Sequence, residues 1–336
     1  MAMIVAGAAV IFSDSEVSAA DSISFDEGKA VLTEDTTLAN ALTISEGQTL
    51  DLAGHNLTVP SIIMNGGIIT DSKFTEESTN KIVLTTNISI NGGSNNTISN
   101  VTVDTQATSS YAVAVSYGVS AEFDNVIFDG SYPTAIYYCS NGTASTLTVI
   151  DCDFGGKLIN FDAQATAGAV NISGSSDVSL GLLNNSNEAA EFTVGEQIIV
   201  ENSTVDTVMV GYTGQPNTTL VIPSGERFAC NEIVSGSSDG ANAFVNVQEG
   251  ATFSAVTNSL PADNVSNDNP RTGLDQSIIA VENDDLSFSG EVYLAGNLTI
   301  PEDKTLTFRS GSSLDLSGKT LTVNGSLVIE SGAQVF

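Results

Sequence analysis

The sequence predicts an all-β chain wound as a parallel β-solenoid of about 25 residues per coil, and three observations predict it. One phrase occurs twice, as T-L-D-L-A-G-H-N-L-T-V from Thr49 to Val59 and as S-L-D-L-S-G-K-T-L-T-V from Ser313 to Val323. A second phrase starts at Asn100 (N-V-T-V-D), Asn125 (N-V-I-F-D-G) and Asp151 (D-C-D-F-G-G), at offsets of 25 and 26 residues. The composition agrees, with Trp 0, Pro 7, Gly 30 and short apolar runs set among Ser, Thr, Asn and Gly in place of helical periods. Wound this way, 336 residues have ample core and form an elongated rod.

Residues 1–20 read as an export signal. The apolar run Met3 to Phe12 is followed by V-S-A-A, which places small residues at Ala19 and Ala20. No Lys or Arg precedes Lys29, whereas such signals begin with positive charge, so the true start is expected upstream of Met1; the alternative is a buried first strand. Ten apolar residues are too few to span a bilayer and no later segment is apolar enough, so no transmembrane segment is expected.

A parallel β-helix is expected over 21–258. Leu42 to Leu50, Leu220 to Phe228 and Leu298 to Leu306 share one template of strand, tight polar turn and strand. Alternation is clearest in Ala112 to Tyr117 and Ala121 to Phe128, where every second residue points inward. Aliphatic ladders such as Leu50, Leu52 and Leu57 are expected to fill the core, with Asn or Thr ladders along the turns. Looser spacing from Leu180 to Asn258 predicts less regular coils. Ser259 to Gly273, with two prolines and no apolar periodicity, predicts a polar loop or linker over 259–275, and further coils are expected over 276–336. The last residues, Gly332 to Phe336, fall partway through a coil, which predicts either a longer protein or an open edge that pairs with a neighbouring subunit.

Lys+Arg 9 against Asp+Glu 40 gives a formal net charge of -31, which disfavours nucleic acid and anionic membranes as partners. Cations and carbohydrate remain. Calcium bridging between acidic subunits is a speculative expectation, since no EF-hand or Gly-Asp nonapeptide loop is present. Cys139, Cys152 and Cys230 leave an odd thiol, and Cys139 and Cys152, 13 residues apart, fall on different walls. They read as buried reduced thiols, or alternatively as the source of an intermolecular disulfide. Twelve Asn-x-Ser/Thr sequons begin at Asn56, Asn87, Asn95, Asn100, Asn141, Asn171, Asn184, Asn202, Asn217, Asn264, Asn297 and Asn324. Chance supplies about half as many. Either they carry glycans, or the fold itself favours Asn in turns followed by Thr in strands.

No cofactor or metal site is predicted. The single histidine, His55, occupies the slot held by Lys319 in the sister phrase, so exposure is expected, and neither a Ser-His-Asp triad nor a zinc site has members. Phosphate-loop and dinucleotide motifs are lacking; N-G-G-S-N-N (Asn91 to Asn96) and M-N-G-G (Met64 to Gly67) are turns. Tyr111, Tyr117, Tyr132, Tyr137 and Tyr138 cluster in the central coils, and exposed rings there suit sugar stacking, although alternation places at least one of Tyr137 and Tyr138 in the core.

The coils around N-V-T-V-D, Y-A-V-A-V (Tyr111 to Val115), N-V-I-F-D-G, T-A-I-Y-Y (Thr134 to Tyr138) and D-C-D-F-G-G resemble right-handed parallel β-helix repeats of the pectate-lyase-like superfamily. The L-D-L-x-G-x-x-L-T-V phrases, the sequons and the acidic surface resemble adhesin-like and surface-layer proteins of methanogenic archaea and some bacteria. The first resemblance implies polysaccharide lyases or hydrolases with a groove along one wall. A Ca²⁺-dependent lyase needs clustered carboxylates and a nearby Arg or Lys base. Asp104, Asp129, Asp151 and Asp153 are candidate carboxylates, but Arg227, Arg271 and Arg309 lie far along the chain and Lys157 is the sole basic residue close in sequence. A hydrolase needs paired carboxylates, whereas Asp repeated at coil corners reads as solvated turns. No catalytic residue is therefore assigned. The expectation is a non-catalytic, secreted cell-surface protein with a structural or adhesive role, partnered by itself or by other envelope proteins; carbohydrate binding or cleavage is the alternative.

Overall fold

The computed structural model describes residues 22–336 except 76, 107–110, 142–143, 166–167, 176, 239, 249, 262–263, 268–271, 275–284, 289–290, 303 and 310–311. The export-signal reading of 1–20 and Arg271 lie outside the described residues. Among the described residues the secondary structure is strand and turn, the strands pair in parallel, and the chain is a β-solenoid. No helix among them is long and apolar enough to cross a membrane.

The walls can be followed by register. Wall A stacks eight strands, from Lys29–Val31 to Ile198–Glu201, and wall C stacks ten, from Leu42–Ser45 to Thr252–Asn258. Wall B holds Thr36–Thr37, Leu57–Val59, Lys81–Leu84 and the second halves of Asn96–Thr105 and Ala121–Gly130. Wall B has no strand after these, and a fourth wall, D, made of Ala190–Thr193, Thr218–Ile222, Ala243–Val247 and Val265–Asn267, enters between walls C and A and runs on after wall A ends at Glu201. The looser spacing after Leu180 thus marks a change of walls rather than a loss of coils.

Side-chain alternation turns this register into ladders. On wall C, Leu42, Ile62, Ile88, Val113, Ile136, Ile159, Leu180, Val208 and Ile233 stack one per coil, none more than 6% exposed. A second column on this wall runs through Ile44, Met64, Ile90, Val115, Tyr138 and Phe161, and the Tyr138 and Phe161 rings lie 5.3 Å apart. Leu50, Leu52 and Leu57 are buried as expected. Because like side chains meet at strand spacing, each contact repeats one coil below, and burying a side chain of this size is worth about 1.5–3 kcal/mol.

Corners explain both repeated phrases. In the first, Asp51 Oδ1 accepts the Ala53 amide at 2.8 Å, closing a turn in which Ala53 and Gly54 have φ of 48° and 84°. Asp315 does the same for Ser317 at 2.7 Å, with Ser317 and Gly318 at 48° and 69°. The second phrase starts on a corner column: Asn100, Asn125, Asp151, Gly174 and Asn202 stack after the A-wall strands, all at positive φ. Asn, Asp and Gly tolerate this left-handed region best. Asn125 Nδ2 donates to Asn100 Oδ1 at 2.8 Å. At Gly174 an added Cβ would overlap Asp151 Oδ1, so the column requires glycine there for space as well as conformation.

The segment 259–275 carries two short strands, Val265–Asn267 on wall D and Thr272–Leu274, and Val265 packs on the main core. The core nevertheless divides there. Leu260 is the last buried member of the first cluster, and Leu274 begins a second with Phe288, Leu298, Ile300, Leu306, Phe308 and Leu314.

Candidate functional site

Residues that alternate outward from wall C meet across coils. Tyr137 Oη donates to Asp162 Oδ2 at 2.5 Å, and Asn185 donates to the same carboxylate from Nδ2 at 2.5 Å and from its backbone amide at 3.1 Å. Asn185 Nδ2 also lies 3.1 Å from Tyr137 Oη, and Gln215 Nε2 donates to Asn185 Oδ1 at 2.5 Å. Asp162 is fully buried, and these donors are neutral; no Lys or Arg is ion-paired with it among the described residues. Burial, then the hydrogen bond to Asp162, pushes the Tyr137 phenol well above its ordinary value. The Tyr111 ring stacks on Tyr137 at 5.5 Å. Tyr117 and Tyr212 stand at the same edge of the wall, each 48% exposed.

Of the five tyrosines singled out in the sequence, Tyr138 is in the core, with Oη 2.6 Å from Ser145 Oγ, and Tyr132 is buried with Oη donating to Val103 O. The other three form the outer face. Sequence reasoning missed Asp162, Asn185 and Gln215, whose only signal is register: Cys139 pairs with Asp162, and Asp162 with Leu183, two residues before Asn185.

On wall B the carboxylates meet a different base from the one nearest in sequence. Lys81 Nζ lies 2.5 Å from Asp104 Oδ2 and 3.8 Å from Asp129 Oδ2. The hydrogen bond to Asp104 holds the lysine above its ordinary value against the opposing pull of burial, with the Asp104 and Asp129 charges adding to it. This keeps the amine protonated, the opposite of what proton abstraction requires. Lys157 instead donates to Phe128 O at 2.9 Å and lies 5.6 Å over the Tyr132 ring. Asp153 Oδ1 accepts the Gly155 amide and Asp151 sits in the corner column, so both serve turns. Arg227 and Arg309 are exposed, on wall C and in the C-terminal stack.

All three cysteines are buried, and none of them is in a disulfide. Burial raises the thiols, Cys139 to about 11 and Cys152 to about 12, which keeps them protonated at neutral pH. His55 is half-exposed rather than fully so, with Nδ1 3.7 Å from Asp35 Oδ1. Asn95, Asn202, Asn217, Asn297 and Asn324 are exposed. Asn56, Asn87, Asn100, Asn171 and Asn264 are intermediate, Asn184 is buried, and the Asn141 side chain lies outside the described residues.

A shallow polar groove of about 170 Å³ lies where wall C turns into wall A, lined by Asn95, Asn96, Thr97, Ser120, Glu122 and Thr148 among others. Among the described residues no three His, Cys, Asp or Glu side chains gather closely enough to hold a metal ion. The geometry therefore offers two rigid outer faces, one of rings and amides and one of paired charges, and both tie successive coils together. Comparison with protein-family models, curated proteins and solved structures gives no match for this chain.

Proposed function

We propose that the chain is a non-catalytic, exported cell-surface protein with a structural or adhesive role, a rigid acidic rod within or upon an envelope. The observation that carries this reading is the continuity of the ladders: one wall of ten strands keeps its inward column nearly unbroken, and outward polar residues fasten coil to coil. A stack of this kind presents a long repetitive surface in which each coil is held by its neighbours. The formal charge of -31 keeps such rods dispersed unless cations or specific contacts join them. The resemblances to pectate-lyase-like repeats and to adhesin-like and surface-layer proteins fit this reading, as do the sequons, which suit a glycoprotein.

A second reading, carbohydrate binding, has a specific observation in its favour. Tyr117 and Tyr212 expose rings at the edge of a wall whose centre is a network of hydroxyl and carboxamide groups held by a buried carboxylate, and hydroxyl and carboxamide groups recognise sugar hydroxyls.

Negative-stain electron microscopy of the purified chain, with and without millimolar Ca²⁺, tests the structural role. Filaments, rings or sheets are expected if it assembles. Dispersed short rods in both conditions remove self-assembly, and binding to neutral polysaccharides then decides for the adhesive reading.

A further inference from the structure

The sequons have a structural origin that also sorts them. In Asn56-Leu57-Thr58, Asn87-Ile88-Ser89, Asn95-Asn96-Thr97, Asn217-Thr218-Thr219 and Asn297-Leu298-Thr299 the asparagine is the last turn residue before a strand. The middle residue is the first of the strand and points inward: Leu57, Ile88 and Thr218 are 0% exposed, Leu298 1% and Asn96 2%. The hydroxyl residue then alternates outward. The fold thus favours Asn-x-Ser/Thr where a polar corner leads into a strand, and at these five entries it leaves both the asparagine and the hydroxyl residue on the outer side.

That account does not make the twelve sites equivalent. An N-glycan is joined to Nδ2, which then keeps one hydrogen and needs solvent around it. Asn184 Nδ2 donates to Glu188 O at 2.8 Å and Asn217 O at 3.1 Å, its Oδ1 accepts from Ser186, and the side chain is fully buried. Asn264 Nδ2 donates to Gly240 O at 2.7 Å and Ala243 O at 3.0 Å. In both, the two hydrogens of the attachment nitrogen are committed to backbone carbonyls, one of which would lose its donor. Asn95, Asn202, Asn217, Asn297 and Asn324 are different. All five are exposed and lie in turns between strands, and their partners in the triplet, Thr97, Thr204, Thr219, Thr299 and Ser326, are not buried. Asn297 is tied to the next coil through Oδ1, which accepts the Thr320 amide at 3.0 Å, and not through the attachment nitrogen.

We infer that Asn95, Asn202, Asn217, Asn297 and Asn324 are the N-glycan attachment sites of the folded solenoid, and that Asn184 and Asn264 are structural asparagines that carry no glycan. The inference rests on the export reading above. Glycans at these five corners project sideways from the rod and leave the strand ladders intact.

The test is peptide mapping by mass spectrometry of the chain isolated from the cells that make it, with its location fixed by fractionation. The five corner asparagines are expected to be occupied and Asn184 and Asn264 bare. Asn217→Gln and Asn324→Gln should each remove one glycan mass, whereas Asn184→Gln should leave the glycan mass unchanged while lowering the melting temperature. A glycan on Asn184 or Asn264 of the folded chain overturns the assignment, as do five bare corner asparagines on an exported chain. Bare asparagines on a chain retained in the cytoplasm overturn it together with the export reading.

Discussion

The early and late coils turn from one wall to the next through a five-residue loop, Leu52 to Asn56 or Leu316 to Thr320, between strands of three residues. The middle coils make the equivalent turn on a single residue, Asn100 or Asn125, inside strands of ten residues that bend across two walls. The two corners with their flanking strands span similar lengths, Thr49 to Val59 and Asn96 to Thr105, so the difference in coil length, from Leu42 to Ile62, 20 residues on, to Ile98 and Phe123, 25 on, arises elsewhere in the coil. The same closure is thus reached either by a turn closed in part by its own Asp side chain or by one left-handed residue supported from the coils above and below. Both depend on the stack, since Gly54 N donates to Asp71 Oδ1 at 2.8 Å and Ser72 N to Asp51 Oδ1 at 2.9 Å, but only the first also carries a cap of its own in Asp51 and Ala53.

The largest effect should come from breaking the core on either side of the divide near Leu260. Phe161 is 1% exposed between the Tyr138 and Phe192 rings, and Phe161→Ala should cost about 3–5 kcal/mol, read as a fall in the denaturation midpoint. Phe308, stacked on Phe288 at 5.8 Å in the smaller second core, should on truncation open only the C-terminal coils, so limited proteolysis would remove them and leave the central stack whole. Simultaneous loss of both stacks would show that the two cores unfold as one.

Corner substitutions give the next effect and sharpen the contrast itself. Gly174→Ala places a Cβ against Asp151 at φ 62° and should destabilise by about 2 kcal/mol. Asn125→Ala loses its bond to Asn100 and the tolerance of the left-handed region, at about 1–2 kcal/mol. Ala53→Gly should stabilise by about 1 kcal/mol, because Ala53 already holds φ 48° without the help of a polar side chain. A loss of stability on Ala53→Gly would show that the buried Ala53 methyl contributes more than relief of its left-handed φ returns.

The smallest effect is on pH dependence. Burial pulls the Asp51 carboxyl upward, but hydrogen bonds from Ser72 and Ala53 outweigh it and leave the group below its ordinary 3.8. With the folded value depressed, the contribution of Asp51 is complete above about pH 4 and is lost as pH falls through the lower folded value. Asp51→Asn should flatten this part of the acid unfolding curve. An unchanged curve would mean that the Asp-capped turn adds nothing to stability.

Much of this fold was legible because register writes itself into sequence. The two phrases that repeat are the two corner types, and the inward ladders are the alternating Val, Ile and Leu residues of each strand. The outer faces were less legible. Lys81 meets Asp104 from the preceding coil, so proximity along the chain pointed instead to Lys157, which caps Phe128 O. Asp162 and Asn185 belong to different coils, and no spacing rule joins them until the pairing of Tyr138 with Phe161 is known. The strands within 259–275 were obscured by the flanking Pro261 and Pro270 and by polar residues, although Val265 packs against the main core. The end of wall B and the entry of wall D have no sequence signature beyond looser spacing, because all the walls demand the same alternation.

A rod that works at the cell surface, as proposed, lies within reach of antibodies added to intact cells. Antibody labelling of intact cells, compared with cells made permeable, tests it most directly. Equal labelling in the two, abolished when intact cells are treated with protease, is the predicted result; labelling that appears only after permeabilisation would contradict it.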